Sequence, residues 1–322
     1  MRRATPELPI TEEHDAPGGL FAQPWWLEAE SSGGWGEARV YDGERLAGRL
    51  PFIVRRRFGL TLLTQPRLAR DLGPWVRDTD GGAKKSGRLA VEKRVMTELI
   101  QGLPRFDVFQ QSFSPSVGNW LPFYWCGFQA TLRYTYRLPE LGDLDRLWER
   151  LSSDHRRKIR RARDELEVVN EPDLDGMYRL LAGTFERQGL PAPYEREALK
   201  RVDAACEQRD ARRMFFAVDS QGRVQAALYL VWDSDCAYSL IRAHAPHPPG
   251  GSQGLHGALR MLDWEAIRFA STVTGTFDFT GSMIEPIERV LRGFGADQTP
   301  YLRVTKVNRW IRPLWSLRNR SG

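Results

Sequence analysis

Cysteine is nearly missing from this sequence: 322 residues hold three, Cys126, Cys206 and Cys236, odd in number and far apart. That excludes a disulfide framework and points to small buried residues in a reducing compartment. Long apolar runs are missing too. No stretch approaches the roughly 18 residues of a membrane-spanning helix. No apolar segment follows Arg2 and Arg3, so a secretory signal is not expected and the chain is assigned to the cytoplasm. Histidine is sparse. His244, His247 and His256 come nearest to a cluster, but no cysteine or carboxylate joins them at ligand spacing, so no metal site is expected. Gly-x-Ser-x-Gly, the Walker loop and the Rossmann glycine fingerprint are all absent. Their chemistry has no local carrier here.

What is present is an ordinary globular composition, 41% hydrophobic and 27% charged, long enough for two compact domains. The net charge of +6 and pI near 9.4 rest mainly on arginine. Such a balance suits an anionic partner such as tRNA, a phosphorylated cofactor or acidic lipid, and equally suits a solvated surface.

Residues 1–19 are polar and are expected to form a disordered tail. A first domain over 20–142 opens with a helix in FAQPWWLEAE, where Pro24 fits a first turn. A hairpin follows around Asp42-Gly43, then a long loop, a helix near 87–102, the strand FDVFQQSF and the alternating strand FQATLRYTYRL. A second domain over 143–307 has Asp143 and Ser152 placed to cap two helices. Beyond them come the strand LEVVNEP, helices at 173–189 and 195–208, three strands, a helix at 253–271, the strand TFDFTG, a helix at 284–292 and the strand YLRVTKV. The order predicts an α/β (α+β) fold with mixed sheets flanked by helices. Each half carries helices, a hairpin and further strands, which allows a duplication at the level of fold. Residues 308–322 form a basic, tryptophan-bearing tail expected to pack back on the first domain, with peripheral contact to lipid headgroups as the other reading.

Two segments carry the densest chemistry. Arg156, Arg157, Lys158, Arg160, Arg161 and Arg163 crowd one helix, with Ile159 and Ala162 as its buried contacts. Guanidinium groups so close repel one another unless phosphates or carboxylates lie among them. Pro248 to Gly257 (PPGGSQGLHG) then leads into a helix start, where backbone N–H groups and the helix dipole favour an anion.

LSSDHRRKIRRAR (151–163), LAGTFERQGLP (181–191), the helix 258–270 with its Asp263-Trp264-Glu265-Ala266-Ile267 core, FDFTGS (277–282), Phe294-Gly295-Ala296 and Pro300-Tyr301 together resemble the Fem family of peptidoglycan-bridge aminoacyltransferases and the GNAT-like acetyltransferases beside it. Phe21–Trp26 and Trp120–Arg137 are similar to the first-domain counterparts. The resemblance implies two GNAT-like domains side by side with a substrate channel between them. GNAT enzymes hold CoA pyrophosphate on a Gln/Arg-x-x-Gly-x-Gly/Ala loop. Here His256 stands three residues after Gln253, and Gln253-Gly254-x-x-Gly257 is a degenerate version.

The expected reaction joins an activated acyl group to an amine and needs positioning, proton removal and oxyanion stabilisation rather than an enzyme nucleophile. Donor phosphates are assigned to Arg156, Arg157, Lys158, Arg161, Gln253, Gly254 and Gly257. Asp278, a carboxylate inside an apolar strand, is assigned to the acceptor amine, its other role being a bond to nearby backbone or arginine. Lys306 is assigned to the developing negative charge. Tyr238 and Arg242 are assigned to the cleft, and Trp120, Tyr124 and Tyr136 to the acceptor channel. The leading expectation is an aminoacyl-tRNA-dependent transferase with no bound cofactor, forming an amide on a small peptide-like amine, a cell-wall precursor or specialised metabolite. An acyl-CoA-dependent N-acyltransferase acting on an envelope polysaccharide or lipid amine is the alternative. A non-catalytic nucleic-acid or envelope-assembly module is the third, and no obligate protein partner is inferable.

Overall fold

The computed structural model describes residues 16–78, 84–246, 257–281 and 283–311. In chain order the elements are α1 (Pro24–Ser31), β1 (Trp35–Asp42), β2 (Arg45–Arg57), β3 (Leu60–Thr64), β4 (Trp75–Val76), α2 (Lys85–Gln101), β5 (Val108–Ser112), α3 (Leu121–Trp125) and β6 (Gln129–Pro139). Then follow α4 (Leu144–Arg150), α5 (Ser153–Glu165), β7 (Leu166–Val169), α6 (Leu174–Glu186), α7 (Arg196–Glu207), β8 (Arg212–Asp219) and β9 (Val224–Trp232). The last are β10 (Ala237–His244), α8 (Ala258–Ala270), β11 (Thr276–Asp278), α9 (Glu285–Arg292) and β12 (Asp297–Val307). No helix among the described residues is long and apolar enough to cross a membrane.

Local chemistry explains the boundaries. Pro24 starts α1. Gly43, at φ 62°, turns β1 into β2. The Asp143 carboxylate accepts from Arg146 N at 2.9 Å, and Ser152 Oγ accepts from His155 N at 3.2 Å, capping α4 and α5. Arg156 Nη1 donates to the carbonyls of Glu149 and Leu151 at 2.7 and 2.8 Å, neutralising the end of α4 with a cation where the helix dipole is negative.

By internal contacts the chain forms two units, residues 1–133 with 300–322, and residues 134–299. The sequence places a border at 142/143. The contact-based division instead falls inside β6 and β12, because periodicity shows that a segment is a strand but not which sheet takes it. In the first unit the sheet order is β1-β2-β3-β5-β12, with β3 and β5 parallel and the other pairs antiparallel. One face packs on α2 through Val95, Met96 and Leu99, with Phe109, Phe113 and Val304 in the same core. In the second unit the order is β6-β11-β10-β9-β8-β7, with β10 and β11 parallel. β9 is apolar almost throughout because both of its faces are covered. Leu228 and Leu230 join the α8 core, while Tyr229 points the other way and donates to Asp203 of α7 at 2.8 Å.

The same scheme therefore occurs twice: antiparallel strands, a helix, a parallel strand, a shorter helix, then a last strand. The last strand is exchanged. β6, which follows α3, pairs with β11 through Arg137–Pro139, and β12, which follows α9, pairs with β5 through Arg303–Val307.

His155 holds α5 in place. Its ring is buried between Phe294, in edge contact at 4.8 Å, and Gly293, where an added Cβ would lie 2.2 Å from the ring. Nε2 bonds Val290 O at 2.9 Å, which requires the hydrogen on that nitrogen. Burial first, then the charge of Arg260, holds the imidazole down to about 4. The unfolded chain takes up its proton near 6.5, so stability is flat above that pH and falls as pH drops toward 4, by about 1.4 kcal/mol per pH unit from this residue. NMR titration is expected to show one histidine silent down to about pH 5; an imidazole titrating near 6.5 at this position overturns the account.

Candidate active site

The parallel pairing of β10 with β11 covers only Ala237 with Phe277 and Tyr238 with Asp278. Beyond it the strands part, and β10 carries an irregularity between Ser239 and Ile241. The chain leaving β11 turns sharply through positive φ at Thr280 (59°) and Gly281 (61°). A Cβ on Gly281 would lie 2.7 Å from Tyr134 O, so glycine alone fits. Two side chains bridge the parted strands: Thr280 Oγ1 donates to Ser239 O at 2.9 Å, and Arg242 Nη2 to Phe279 O at 3.4 Å.

Asp278 sits at the point of parting with no exposed surface. It accepts from Thr135 Oγ1 at 2.6 Å, Thr280 N at 2.7 Å and Arg137 Nε at 3.0 Å. A buried carboxylate is tolerated when ringed by donors in this way. Arg137 also reaches Cys236 Sγ at 3.6 Å. Burial first, then the Asp278 charge, pushes the Cys236 thiol up to about 12, so it supplies no thiolate at neutral pH.

α8 begins against α5. A Cβ on Gly257 would stand 2.3 Å from Lys158 O and 3.1 Å from the Ala162 Cβ, so the glycine permits the helix start to rest on the backbone of the basic helix. Arg157, Arg160, Arg161 and Arg163 are exposed there. Their charge is partly balanced. Asp154 takes both Arg157 and Lys158 at 2.6 and 2.8 Å, and Glu265 of α8 takes Arg163 at 2.7 Å. Beneath this contact Asp263 is buried, 3.7 Å from Arg242, and burial raises its carboxyl to about 6.

This arrangement of strands and helices matches a known one. Residues 150–284 match the model of the acetyltransferase (GNAT) domain family. They form a GNAT-type domain. Taken whole, the chain is similar in structure to FemX, with a TM-score of 0.65 and 13% identity over 94% of this chain and 95% of that one. It is also similar to a conserved protein of unknown function from Bacteroides thetaiotaomicron VPI-5482, with a TM-score of 0.52 and 11% identity over 88% of each chain. L-PGS from Bacillus licheniformis gives 0.50 and 10%, over 93% of this chain and 96% of that one. No curated protein sequence matches. At such identities the structural likenesses show fold alone, and the assignment to acyl transfer rests on the family match over residues 150–284.

The GNAT-type domain brings several expected residues together. Asp278 and Tyr238 are paired across β10 and β11, Arg242 lies further along β10, and Gly257 touches Lys158. Tyr136 is buried in the same unit, its hydroxyl donating to Glu288 at 2.7 Å and accepting from Gln298 at 2.9 Å; burial and Glu288 raise its pKa. In the other unit Trp120 and Tyr124 meet edge to face at 5.6 Å, Tyr124 being 60% exposed. Lys306 donates to Cys126 O at 2.8 Å, lies 4.9 Å from the Phe128 ring, and lines an open hollow of about 760 Å³ with Thr61, Arg105, Asp107 and Asn308. Gln253 and Gly254, like residues 1–15 and 312–322 of the two tails, lie outside the described residues. Among the described residues no three of His, Cys, Asp or Glu gather as metal ligands.

Sequence reasoning missed Thr135, Arg137 and Thr280, the partners of Asp278, and the buried Asp263. Asp263 had a signal, since it interrupts the apolar run Met261-Leu262-Asp263-Trp264. Thr135 and Arg137 had none, being about 140 positions from the carboxylate they hold.

Proposed function

We propose that the protein transfers an aminoacyl group from a charged tRNA to the amine of a small peptide-like acceptor. The close rest of Gly257 on Lys158 carries this reading, because it puts an exposed guanidinium ridge beside a helix start. Cations and a helix N-terminus in one place suit a phosphate-bearing donor. Arg157, Arg161 and Lys158 are the donor contacts, with Gln253 and Gly254 preceding the helix. Arg156, engaged with the end of α4, orients the helix that carries them.

Two features favour tRNA over acyl-CoA. The Gln253-Gly254-x-His256-Gly257 stretch departs from the GNAT phosphate loop. The parted edge of β10, which an extended amide-bearing arm such as that of CoA could join as an extra strand, already has Thr280 on Ser239 O, with Arg242 on Phe279 O across the gap. An ester-linked aminoacyl group is activated already, so the chain need only align the acceptor amine, accept its proton and steady the oxyanion. Lys306 is the candidate for the last task. Asp278 is a positioning residue: it locks the turn that follows β11.

The test incubates the protein with charged tRNA or acetyl-CoA and a panel of peptide amines. Amide product is expected from charged tRNA and is expected to vanish when the tRNA is digested first. Product from acetyl-CoA in the presence of RNase removes the tRNA reading. Arg157→Gln with Arg161→Gln is expected to weaken tRNA binding about tenfold and to flatten its salt dependence by about two released counterions.

A further inference from the structure

The two most exposed large apolar side chains among the described residues are Phe58 and Trp310, at 84% and 86%. Both stand at the same end of the first unit's sheet, and the acyl-transfer reading uses neither. Phe58 and Gly59 make the whole turn between β2 and β3, both at positive φ, 51° and 75°. Such a turn favours Asn-Gly, and a bulky residue at its first position is strained. Of the five described non-glycine residues at positive φ, Phe58 alone is apolar. No burial offsets the strain: the ring projects into solvent with the Arg57 guanidinium over it at 5.2 Å.

Cations gather at this end. Arg56 stands in register with Thr61, and Arg57 with Leu60. Asp107 N donates to Thr61 O, and Asn308 N to Asp107 O, each at 2.8 Å, so the ends of β2, β3, β5 and β12 stand side by side. Thr61 lines the open hollow of about 760 Å³, whose wall also carries Arg105, Lys306 and Arg309, with Trp310 the next residue along. Arg55 has Glu30 at 3.7 Å, but Arg56, Arg57, Arg105 and Arg309 make no ion pair with a described carboxylate. Asp107, the one acid among the lining residues, already accepts from Thr61 N at 2.9 Å.

Four arginines without acid partners and two bare rings around a hollow suit a chain that alternates anions with flat rings. Guanidinium forks match phosphate oxygens, and aromatic faces accept bases of any sequence. A lipid surface fits less well. Insertion into a bilayer needs a continuous apolar face, whereas the polar wall of Thr61, Asp107 and Asn308 interrupts the two rings here. A duplex keeps its bases within its own stack, so a single strand is the match.

We infer that this end of the first unit's sheet binds single-stranded nucleic acid. Bases stack on Phe58 and Trp310, and Arg56, Arg57, Arg105 and Arg309 hold the phosphates. The strained turn keeps the Phe58 ring presented to the strand. The inference does not rest on tRNA as the donor, because all of these residues belong to the first unit and the basic helix α5 belongs to the other.

The full-length protein is tested in the Arg157→Gln, Arg161→Gln background, which reduces any contribution from α5. It is titrated, by fluorescence anisotropy, into a labelled oligouridylate of about 12 nucleotides, within the range of single-strand sites. Binding is expected, and is expected to weaken as salt rises. Phe58→Asn is expected to reduce affinity about tenfold while leaving the melting temperature unchanged or raised, because asparagine suits the turn. Phe58→Tyr, which keeps the stacking face, is expected to bind as the parent does. Trp310→Ala is expected to lose about tenfold as well. Arg56→Gln and Arg57→Gln are each expected to lower the slope of log affinity against log salt by about 0.7. Failure of the oligouridylate to bind overturns the inference, as does binding that Phe58→Asn and Trp310→Ala both leave intact. Equal affinity for polyphosphate, which has the charge but no bases, overturns the stacking assignment. Phosphatidylglycerol vesicles that bind through Phe58 while the oligouridylate does not would overturn it in favour of lipid. Amide transfer is read in a separate assay, so either reading can fail alone.

Discussion

Asp278→Ala is expected to destabilise the protein by about 3–5 kcal/mol, the range found when one partner of a buried ion pair is removed. The carboxylate has no exposed surface and receives Thr135, Thr280 and Arg137, so its loss strands three donors at once. Urea unfolding monitored by tryptophan fluorescence reads the change directly. Asp278→Asn keeps one carbonyl oxygen for two of the donors and loses the charge that holds Arg137, so a smaller loss of about 1–3 kcal/mol is expected. The pair of variants also separates two roles. If Asp278 positions the turn after β11, turnover should decline in step with stability and with the fraction folded. A general base in the same place would instead lose about 10²–10⁴ in rate in a fully folded Asn variant. That second pattern would return Asp278 to the chemistry itself.

Gly257→Val is the other substitution with a large expected effect. A Cβ there would fall 2.3 Å from Lys158 O, and backbone cannot turn aside as a flexible side chain can. α8 must withdraw from α5, at a cost of about 2–3 kcal/mol typical of overpacking. The withdrawal also separates the helix start from the guanidinium ridge, so donor affinity should fall at least tenfold. Gly275→Ala supplies the control, since nothing lies within 4 Å of its added Cβ; its stability should stay within about 0.5 kcal/mol of the parent. Equal donor affinity in Gly257→Val and parent would dissociate the helix contact from donor binding.

Much of the fold was legible because its signals are local. Asp143 and Ser152 announce two helices three residues ahead of the amides they cap, and Asp42-Gly43 marks its hairpin without help from the rest of the chain. β9 is apolar but for Gln225 near its start, which by itself says that both faces are covered. Two short elements were lost. β3, Leu60–Thr64, follows β2 after only two residues and was absorbed into the run after the hairpin, and α3 packs Leu121–Trp125 into little more than one turn of mixed aromatic character. The site was legible only in part. A charged residue in Phe277-Asp278-Phe279 stands out, but whether it faces substrate or three internal donors depends on β6, far back in the sequence. The contact of Gly257 with Lys158 is likewise non-local, although both segments stand out alone.

The exchange of β6 and β12 bears on how the chain is made. While a ribosome extends the polypeptide, the first unit can assemble β1, β2, β3 and β5 but lacks the strand that closes it beside β5 until residues 303–307 emerge. Until then the outer edge of β5 carries unsatisfied backbone groups, an invitation to pairing with other nascent chains. Truncation before residue 303 should therefore yield aggregates rather than a shorter soluble domain, and β12 acts as a latch on strands made long before it.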